Sequence, residues 1–374
     1  MGLIRLILAI SVVVSHSGSI FGIRFVGGQM AVQSFYIISG FYMALILTEK
    51  YIGPNGSYRL FISNRLLRLF PVYWTVALLT LIISSAAYFV TGGDDSVSMH
   101  AFHEHYKDLN LGSFLFLMFT NVFLVLQDVV MFLGLDIETG KLFFTTNFRN
   151  TDPALYKFLM VPQAWTIGIE ITFYLIAPFL VKRKWSAILT LIALSLTLRV
   201  ILYTNGLTHD PWTHRFFPTE LVFFLFGIVA YRLYKMLEHI PISPRIMNMI
   251  FGTVLVATIT YTAWPIKFKP YIYLTLFFIS LPFIFIHTKR WKFDRYIGEL
   301  SYPVYISHML VIGVFGFFDV EFTPVMSILL IGVTLAFSFA LNAFIAAPLE
   351  RTRQSRVKTV KSPVSVVNNG VVSN

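Results

Sequence analysis

The chain of 374 residues contains no cysteine, and only 13% of its residues are charged. The absence of cysteine excludes disulfide bonds, thiolate metal sites and a cysteine nucleophile. The low charged fraction, together with 56% hydrophobic and 17% aromatic residues, leaves too little polar surface to cover a soluble globule. Composition therefore indicates a polytopic membrane protein.

Acidic residues are also scarce, because 18 Asp and Glu stand against 29 Lys and Arg and give a formal net charge of +11. In a soluble protein this excess would suggest nucleic acid as a partner. Here the basic residues lie between apolar runs, where Lys and Arg report membrane orientation, so we expect no nucleic-acid partner. The chain also lacks a Gly-rich phosphate loop and a dinucleotide fingerprint, so ATP-driven chemistry is not indicated.

Ten apolar segments have about the 20 residues that a helix needs to cross a hydrocarbon core of roughly 30 Å. They are 3–22, 29–48, 70–91, 165–181, 186–204, 217–236, 247–265, 269–288, 297–317 and 324–346. Alternate linkers are rich in Lys and Arg, and by the positive-inside rule these linkers and both termini are predicted to be cytoplasmic. The predicted fold is all-α, a polytopic membrane helix bundle of about ten transmembrane helices surrounded by membrane lipid.

One further apolar segment, 111–133, does not fit this alternation, because a crossing there would invert the orientation of every basic linker that follows. We interpret it as a re-entrant or outward-lying helix, since partly inserted backbone is tolerated where it packs against protein. The predicted domains are a transmembrane domain over 1–350 and a tail over 351–374. The tail is basic at its start and is then predicted to be disordered.

Arg5 and His16 both lie inside the first apolar segment. Ionisable groups are costly at membrane depth and are usually retained there for a pathway or a reaction. On one helix His16 would lie about 16 Å beyond Arg5, buried at or past the midplane. A neutral imidazole there is a competent general base for a hydroxyl. A histidine that only bonds a neighbouring helix fits the same position equally well.

Glu170 lies in the segment Trp165–Tyr174, which enters a predicted span. A carboxylate at this depth should face the bundle interior and needs a cationic or imidazole partner. If it pairs with His16, it orients the ring and stabilises the imidazolium, as the carboxylate of a catalytic triad does. A structural ion pair between two helices is the alternative, and we expect Arg199 and Glu220 to form such a pair.

The segment Ser301–His308 carries polar side chains into the ninth predicted span. Ser301, Tyr305 and His308 recur at helical spacing along one face. His308 is a second candidate base, and a polar face that binds other helices explains this spacing nearly as well.

Arg65 and Arg68 precede the third predicted span and project from the same face when helical. Forked guanidinium groups suit phosphates. Positive charge that only anchors the helix end at the inner membrane surface is the alternative. The outer-loop sequence 103–105, His-Glu-His, is more typical of an exposed surface than of a metal site, so we expect no metal.

These groups occur in one order along the chain, and together they resemble the acyltransferase-3 family of integral-membrane acyltransferases. The matching pieces are Arg5 with His16, Gly28 with Ala31–Phe41, Arg65–Arg68, Trp165–Glu170 with Phe173, Tyr174 and Pro178, and Ser301 and Tyr302 with Tyr305 and His308. The chain departs from the usual pattern at Tyr36, where a second Phe normally follows Phe35. It is similar to the members that lack a soluble hydrolase-like domain.

The resemblance implies an O-acyltransferase of the bacterial inner membrane that moves an acyl group, commonly acetyl from acetyl-CoA, to a hydroxyl of a cell-envelope carbohydrate. The acceptor would be O-antigen of lipopolysaccharide, exopolysaccharide, or a related glycan or lipid-linked sugar. By this resemblance His16 matches the family's essential histidine, Arg5 its basic partner, and Arg65 and Arg68 its RxxR motif. The expected site residues are His16 and Glu170 for catalysis, Arg5, Arg65 and Arg68 for the donor, and Trp165, Tyr174, Ser301, Tyr302 and His308 in support.

Two other kinds of function fit the residues. A transporter or flippase for a lipid-linked glycan also uses ionisable groups inside a helix bundle, and turnover of acyl-CoA by the purified protein separates it from an enzyme. A membrane scaffold without chemistry would tolerate the loss of His16 and retain its partners.

Overall fold

The computed structural model describes residues 1–93 and 97–357. Most of the predicted disordered tail, 358–374, lies outside the described residues. Within the described ranges the chain forms fourteen α-helices, a π-helical turn and a two-stranded antiparallel sheet. In chain order these are α1 (Gly2–Ser17), α2 (Gly27–Glu49), α3 (Tyr58–Thr91), α4 (His100–His105), α5 (Leu111–Phe123), β1 (Leu133–Asp136), β2 (Lys141–Phe144), α6 (Trp165–Leu180), α7 (Trp185–Thr204), α8 (Phe217–Leu237), α9 (Pro244–Thr260), α10 (Lys269–Thr288), α11 (Lys292–Glu299), α12 (Ser301–Phe317), α13 (Pro324–Leu341), the π-turn (Asn342–Ala346) and α14 (Ala347–Ser355).

Helices occupy all ten segments that the sequence predicts to be spans. Eight helical stretches among the described residues are long and apolar enough to cross a membrane. The eight do not include α1, which has 16 residues, or α8, which carries Glu220, Arg232 and Lys235. The predicted class, an all-α polytopic helix bundle, is confirmed.

The centre of the bundle is the crossing of α2 and α8. Gly40 on α2 and Gly227 on α8 permit this crossing, because a Cβ on Gly40 would overlap the backbone of Phe224 and one on Gly227 would overlap the backbone of Ile37. Small residues allow helix backbones to approach closely in membrane bundles. Helix α8 is joined to α7 by the predicted ion pair, in which Arg199 donates to Glu220 at 2.5 Å, and to α2 by Gln33, which donates to the same carboxylate at 3.2 Å.

Helix α1 packs against α2, α11 and α12. The carboxylate of Asp294 on α11 accepts hydrogen bonds from the backbone N–H groups of Gly2 at 2.7 Å and Leu3 at 2.8 Å. A carboxylate in this position satisfies N–H groups that a helix start leaves unpaired. The first turn of α1, which carries Arg5, is therefore held in one place.

Helix α3 begins at Tyr58, twelve residues before the predicted span that starts at 70. Ser57 caps this helix start by accepting a hydrogen bond from Leu60 at 3.4 Å. The basic residues lower the hydropathy of this stretch without breaking its helix, since Arg is a good helix former. Arg65 and Arg68 are thus helical, one turn apart, and not part of a linker as their charge suggested.

The segment 111–133 does not form a single crossing helix, because α5 ends at Phe123 and the chain then turns at Leu124 and Leu126, both with positive φ. The side chain of Trp74 on α3 donates to the carbonyl oxygen of Val122 at 2.8 Å. A hairpin follows, in which Leu133 pairs with Phe144 and Asp136 with Lys141. Together α5, the hairpin and the following turns cover one end of the bundle.

The last described helix, α14, crosses the predicted boundary between domain and tail at 350 and runs to Ser355. It follows the π-turn without a break and packs against α3. The basic start of the predicted tail is therefore helical.

Candidate active site

Three neighbouring cavities form a row along α1. The inner cavity, of about 360 Å³, lies at the end that carries the basic linkers. The middle cavity, of about 100 Å³, shares Arg5, Tyr42, Arg68 and Tyr302 with it. The outer cavity, of about 180 Å³, is lined by His16 and shares Val32 and Tyr305 with the middle cavity. The row therefore leads from Arg5 in the first turn of α1 to His16 in its last turn.

The inner cavity is rich in cations. Its wall contains five cationic side chains and three carboxylates, which are Arg5, Arg68, Lys289, Arg295 and Arg353, and Asp294, Glu299 and Glu350. Among the side chains two positive charges are in surplus, since five minus three leaves two, and the amino terminus, which also lines the cavity, pairs with Asp294 at 2.7 Å. Asp294 is already engaged by the start of α1 and Glu350 by Arg353. Such a cavity suits an anion with several negative charges.

The two arginines of the RxxR motif differ in position. Arg68 lines both the inner and the middle cavity. Arg65 is 5% exposed, and its Nε has no hydrogen-bond partner in the part of the chain that the structure describes. Arg68 is therefore placed to touch a bound molecule directly, while Arg65 lies buried one turn before it.

Glu170 is the carboxylate of the middle cavity. It accepts hydrogen bonds from the hydroxyl groups of Ser39 and Tyr174, each at 2.5 Å. The predicted pair with His16 is wrong, because the two side chains line different cavities and Glu170 is satisfied by these hydroxyls instead. Glu170 sits beside the cations Arg5 and Arg68, which line the same cavity.

The hydroxyl groups around the middle cavity are mostly engaged. Tyr302 donates to the carbonyl oxygen of Leu69 at 2.7 Å, and Ser301 donates to that of Gly298 at 2.7 Å. The hydroxyl of Tyr36 differs, since it is buried and has no hydrogen-bond partner among the described residues. Its ring is fixed by stacking on Phe224, with 4.6 Å between the ring centroids. This unusual tyrosine therefore brings an unpaired donor to the wall of the middle cavity.

His16 lies in the last turn of α1 and is exposed, with its ring at the wall of the outer cavity. The predicted burial of this side chain is therefore wrong, while its predicted depth at or beyond the midplane stays a prediction. The reason is that α1 ends at Ser17, where Gly18 adopts a φ of 95°, so the histidine reaches an opening.

His308 supports His16 from behind. The two rings lie with their centroids 5.3 Å apart, and His308 is fully buried. Its Nδ1 lies 2.6 Å from the carbonyl oxygen of Tyr305, so Nδ1–H donates and Nε2 is left unprotonated in the neutral ring. Tyr305 in turn donates to the carbonyl oxygen of Gln163 at 3.0 Å and accepts from Thr166 at 2.9 Å. The polar face of α12 thus does both things that its spacing suggested: it contacts a neighbouring helix, and it supports the site at His16.

The outer cavity also contains a charged cluster that sequence reasoning missed. The Nε of Arg215 donates to Asp210 at 2.6 Å, and Arg149 donates to the same carboxylate at 2.9 Å. The guanidinium of Arg215 lies 4.3 Å from the ring centroid of Trp165, a cation–π contact. The sequence does carry one signal for this cluster, the close spacing of Asp, Trp, His and Arg in the short linker 205–216. By charge alone this linker is an ordinary loop of mixed charge.

Burial and this cluster fix the charges of the outer cavity. Burial, with Arg215 nearby, lowers the pKa of His214 to about 3, so this imidazole is neutral at physiological pH. Burial alone would raise the pKa of Asp210, but the charge of Arg215 and its hydrogen bond lower it below the ordinary value. The cavity wall therefore presents Arg149 and Arg215, both held by the ionised Asp210, beside the neutral His214.

The fold and these cavities define a class, a polytopic membrane protein with a row of neighbouring cavities that has cations at one end and an accessible imidazole at the other. The family described as an acyltransferase domain matches residues 1–343 of the 374. The chain therefore belongs to the acyltransferase-3 family and is a membrane acyltransferase. No curated protein and no solved structure matches it.

Proposed function

We propose that the protein transfers an acetyl group from acetyl-CoA to a hydroxyl of a cell-envelope carbohydrate, at the inner membrane of a bacterium and with both termini cytoplasmic. The single observation that carries this proposal is the row of three cavities, with surplus cations at one end and His16 at the other. A donor with phosphates needs the first feature and a hydroxyl acceptor needs the second. A flippase needs neither a cavity with surplus cations nor a general base.

The donor enters the inner cavity. Its phosphates remain among the cations there, since guanidinium groups bind phosphate oxygens by charge-assisted hydrogen bonds. The pantetheine arm then passes Arg5, Arg68 and Tyr302, which line both the inner and the middle cavity. This places the thioester in the middle cavity, in a site that excludes most water.

The acceptor hydroxyl enters from the outer cavity and meets the thioester where Tyr305 lines both cavities. His16 takes the hydroxyl proton while the oxygen attacks the thioester carbonyl carbon. The carbon–sulfur bond then breaks, and the sulfur leaves with that proton as the free thiol of CoA. Gln163, Trp165 and the Asp210 cluster contact the rest of the acceptor.

The tetrahedral intermediate carries an oxyanion that needs hydrogen-bond donors. Ser39 and Tyr302 also line the middle cavity, but the Ser39 hydroxyl donates to Glu170 and the Tyr302 hydroxyl to the carbonyl oxygen of Leu69. The hydroxyl of Tyr36 is buried and unpaired among the described residues at the middle cavity, so it is the donor that we assign to the oxyanion.

The test is acetyl transfer by the purified protein in liposomes, with acetyl-CoA labelled in the acetyl group. Envelope glycan from a strain that lacks the gene serves as acceptor, and the label on the glycan is counted after removal of CoA. We expect label on the glycan and stoichiometric free CoA. Absence of CoA release with every glycan fraction, together with glycan movement across the bilayer, would favour the flippase and contradict the proposal.

A further inference from the structure

Helix α14 lies beyond residue 343, where the match to the family ends. It is attached to the inner end of the bundle by Arg356, which donates to Asn64 at 2.9 Å and to Ser63 at 2.9 Å. Both partners lie on α3, one turn or less before the RxxR motif. The π-turn at Asn342–Ala346 precedes α14, and such turns inside helices are frequent at functional sites.

This attachment brings Arg353 into the wall of the inner cavity. The side chain of Arg353 is 7% exposed, and it pairs with Glu350 one turn earlier on the same helix. Its Nε has no hydrogen-bond partner in the described ranges. A buried guanidinium is costly unless its charge and its N–H groups are satisfied. The carboxylate of Glu350 balances the charge of Arg353, but it leaves some of the guanidinium N–H donors without an acceptor.

Among the described residues, no hydrogen bond joins Arg353 to the other two carboxylates of the inner cavity, Asp294 and Glu299. Asp294 accepts the backbone N–H groups at the start of α1. Glu350 also accepts from Gln354 at 2.9 Å, so it is divided between two donors. A phosphate supplies several acceptor oxygens and matches the planar fork of an arginine.

We propose that Arg353 binds a phosphate group of the CoA donor, and that Glu350 holds its guanidinium in place until the donor arrives. This inference rests on the proposed function, since it takes the donor to be an acyl-CoA. It gives α14, which lies outside the family match, a direct part in donor binding. On donor binding the phosphate replaces Glu350 as the main partner of Arg353.

The experiment is equilibrium binding of CoA and of pantetheine to the full-length protein in detergent. CoA without an acyl group avoids turnover, and pantetheine lacks the nucleotide and its phosphates. We expect Arg353→Gln to weaken CoA binding about 10-fold or more, which is the usual loss for a charged hydrogen bond, and to leave pantetheine binding unchanged. Arg351→Gln is the matched control, because Arg351 is exposed on the same helix, and it should bind CoA within twofold of wild type.

Two more variants sharpen the result. Glu350→Gln removes the competing carboxylate and should bind CoA at least as tightly as wild type. Arg353→Lys keeps the positive charge but lacks the planar guanidinium, so its affinity for CoA should lie between those of the wild type and Arg353→Gln. If Arg353→Gln does not elute as a monodisperse protein, Arg353→Lys replaces it in the test. Wild-type CoA affinity in both Arg353 variants would overturn the inference alone, and so would an equal loss of CoA and pantetheine. Failure of the wild type to bind CoA would instead overturn the proposed donor.

Discussion

The two ends of helix α1 face cavities of opposite design. At the first turn, Arg5 joins four other cations in a cavity whose carboxylates are too few to balance them. At the last turn, His16 opens into a cavity where Arg149 and Arg215 already share Asp210. The inner cavity is therefore suited to bind an anion. The outer cavity presents a base, His16, beside hydrogen-bonding groups that are held in position. The difference matches two substrates that approach from opposite sides of a membrane.

Orientation gives the largest contrast, because each end should be accessible from one side only. The cysteine-free chain permits single-cysteine labelling at Lys107, between α4 and α5, and at Ser355, at the end of α14; both positions are exposed. We expect a membrane-impermeant maleimide to label Lys107→Cys in intact spheroplasts and Ser355→Cys only after lysis. Labelling of both from the same side would remove the assignment of donor and acceptor to opposite ends.

The outer end should dominate the chemical step. His16→Ala removes the proposed base, and such a loss typically lowers a rate about 100- to 10,000-fold. We expect kcat for acetyl transfer to fall by that order while CoA binding is unchanged, measured with purified protein at saturating donor. Glu170→Gln is the comparison, since Glu170 has no contact with His16 and belongs with Arg5 and Arg68. A normal kcat in His16→Ala would transfer the role of base to His308.

Tyr36→Phe tests the middle cavity, because it removes only the hydroxyl oxygen of Tyr36. It restores the residue that the family usually has, so the fold should tolerate it. If the unpaired hydroxyl of Tyr36 stabilises the oxyanion, kcat should fall about 100-fold with little change in the KM of the donor. Tyr42→Phe at the same cavity is the control and should be nearly neutral. A neutral Tyr36→Phe leaves the oxyanion without an assigned side-chain donor.

At the inner end, Arg68→Gln should affect binding more than chemistry. Arg68 lines both the inner and the middle cavity, so it contacts the donor where the donor passes between them. We expect the Kd of CoA to rise about 10- to 100-fold, as measured by calorimetry, with a smaller change in kcat. Arg59→Gln is a matched control on the same helix, because Arg59 is exposed. If the two variants raise the Kd of CoA equally, Arg68 only anchors the helix end and does not bind the donor.

The sequence predicts the inner end better than the outer end, and the reason is local. Hydropathy and charge locate spans and basic helix ends, so Arg5, Arg65 and Arg68 were found at one end without knowledge of packing. The partner of Glu170 was predicted wrongly, because many helices converge on the bundle interior and sequence spacing does not say which of them meet. The true partners, Ser39 and Tyr174, are hydroxyls with no charge to reveal them.

The outer end depends on a long irregular connection, and patterns fail there. Arg149, Asp210 and Arg215 come from two loops that are far apart in sequence and meet at Asp210, with Arg215 over the ring of Trp165. No periodicity marks such a meeting. The exposure of His16 likewise depends on one residue, Gly18, which ends α1 before the membrane-length run of apolar residues is complete. Termini of helices are where sequence patterns are least reliable.

At the cover of the outer end, the expected effect is on stability and not on catalysis. Asp128 is 8% exposed, next to Gly168 of α6, and burial raises its pKa to about 6. A carboxyl group with a raised pKa stabilises the folded state fully at low pH, and this stabilisation is lost as the pH rises through about 6. At neutral pH the ionised Asp128 therefore opposes folding.

Asp128→Asn removes this titration. We expect the variant to be more stable than wild type at pH 7.5, by up to about 3 kcal/mol for a shift of roughly two pKa units, and to lose most of that advantage at pH 4.5. The measurement is the thermal unfolding midpoint of purified protein at both pH values. Glu138→Gln, an exposed carboxylate in the hairpin turn, is the control and should leave the pH dependence as it is. An Asp128→Asn advantage that is equal at both pH values would assign the gain to packing, because only a titrating group makes stability depend on pH in this window.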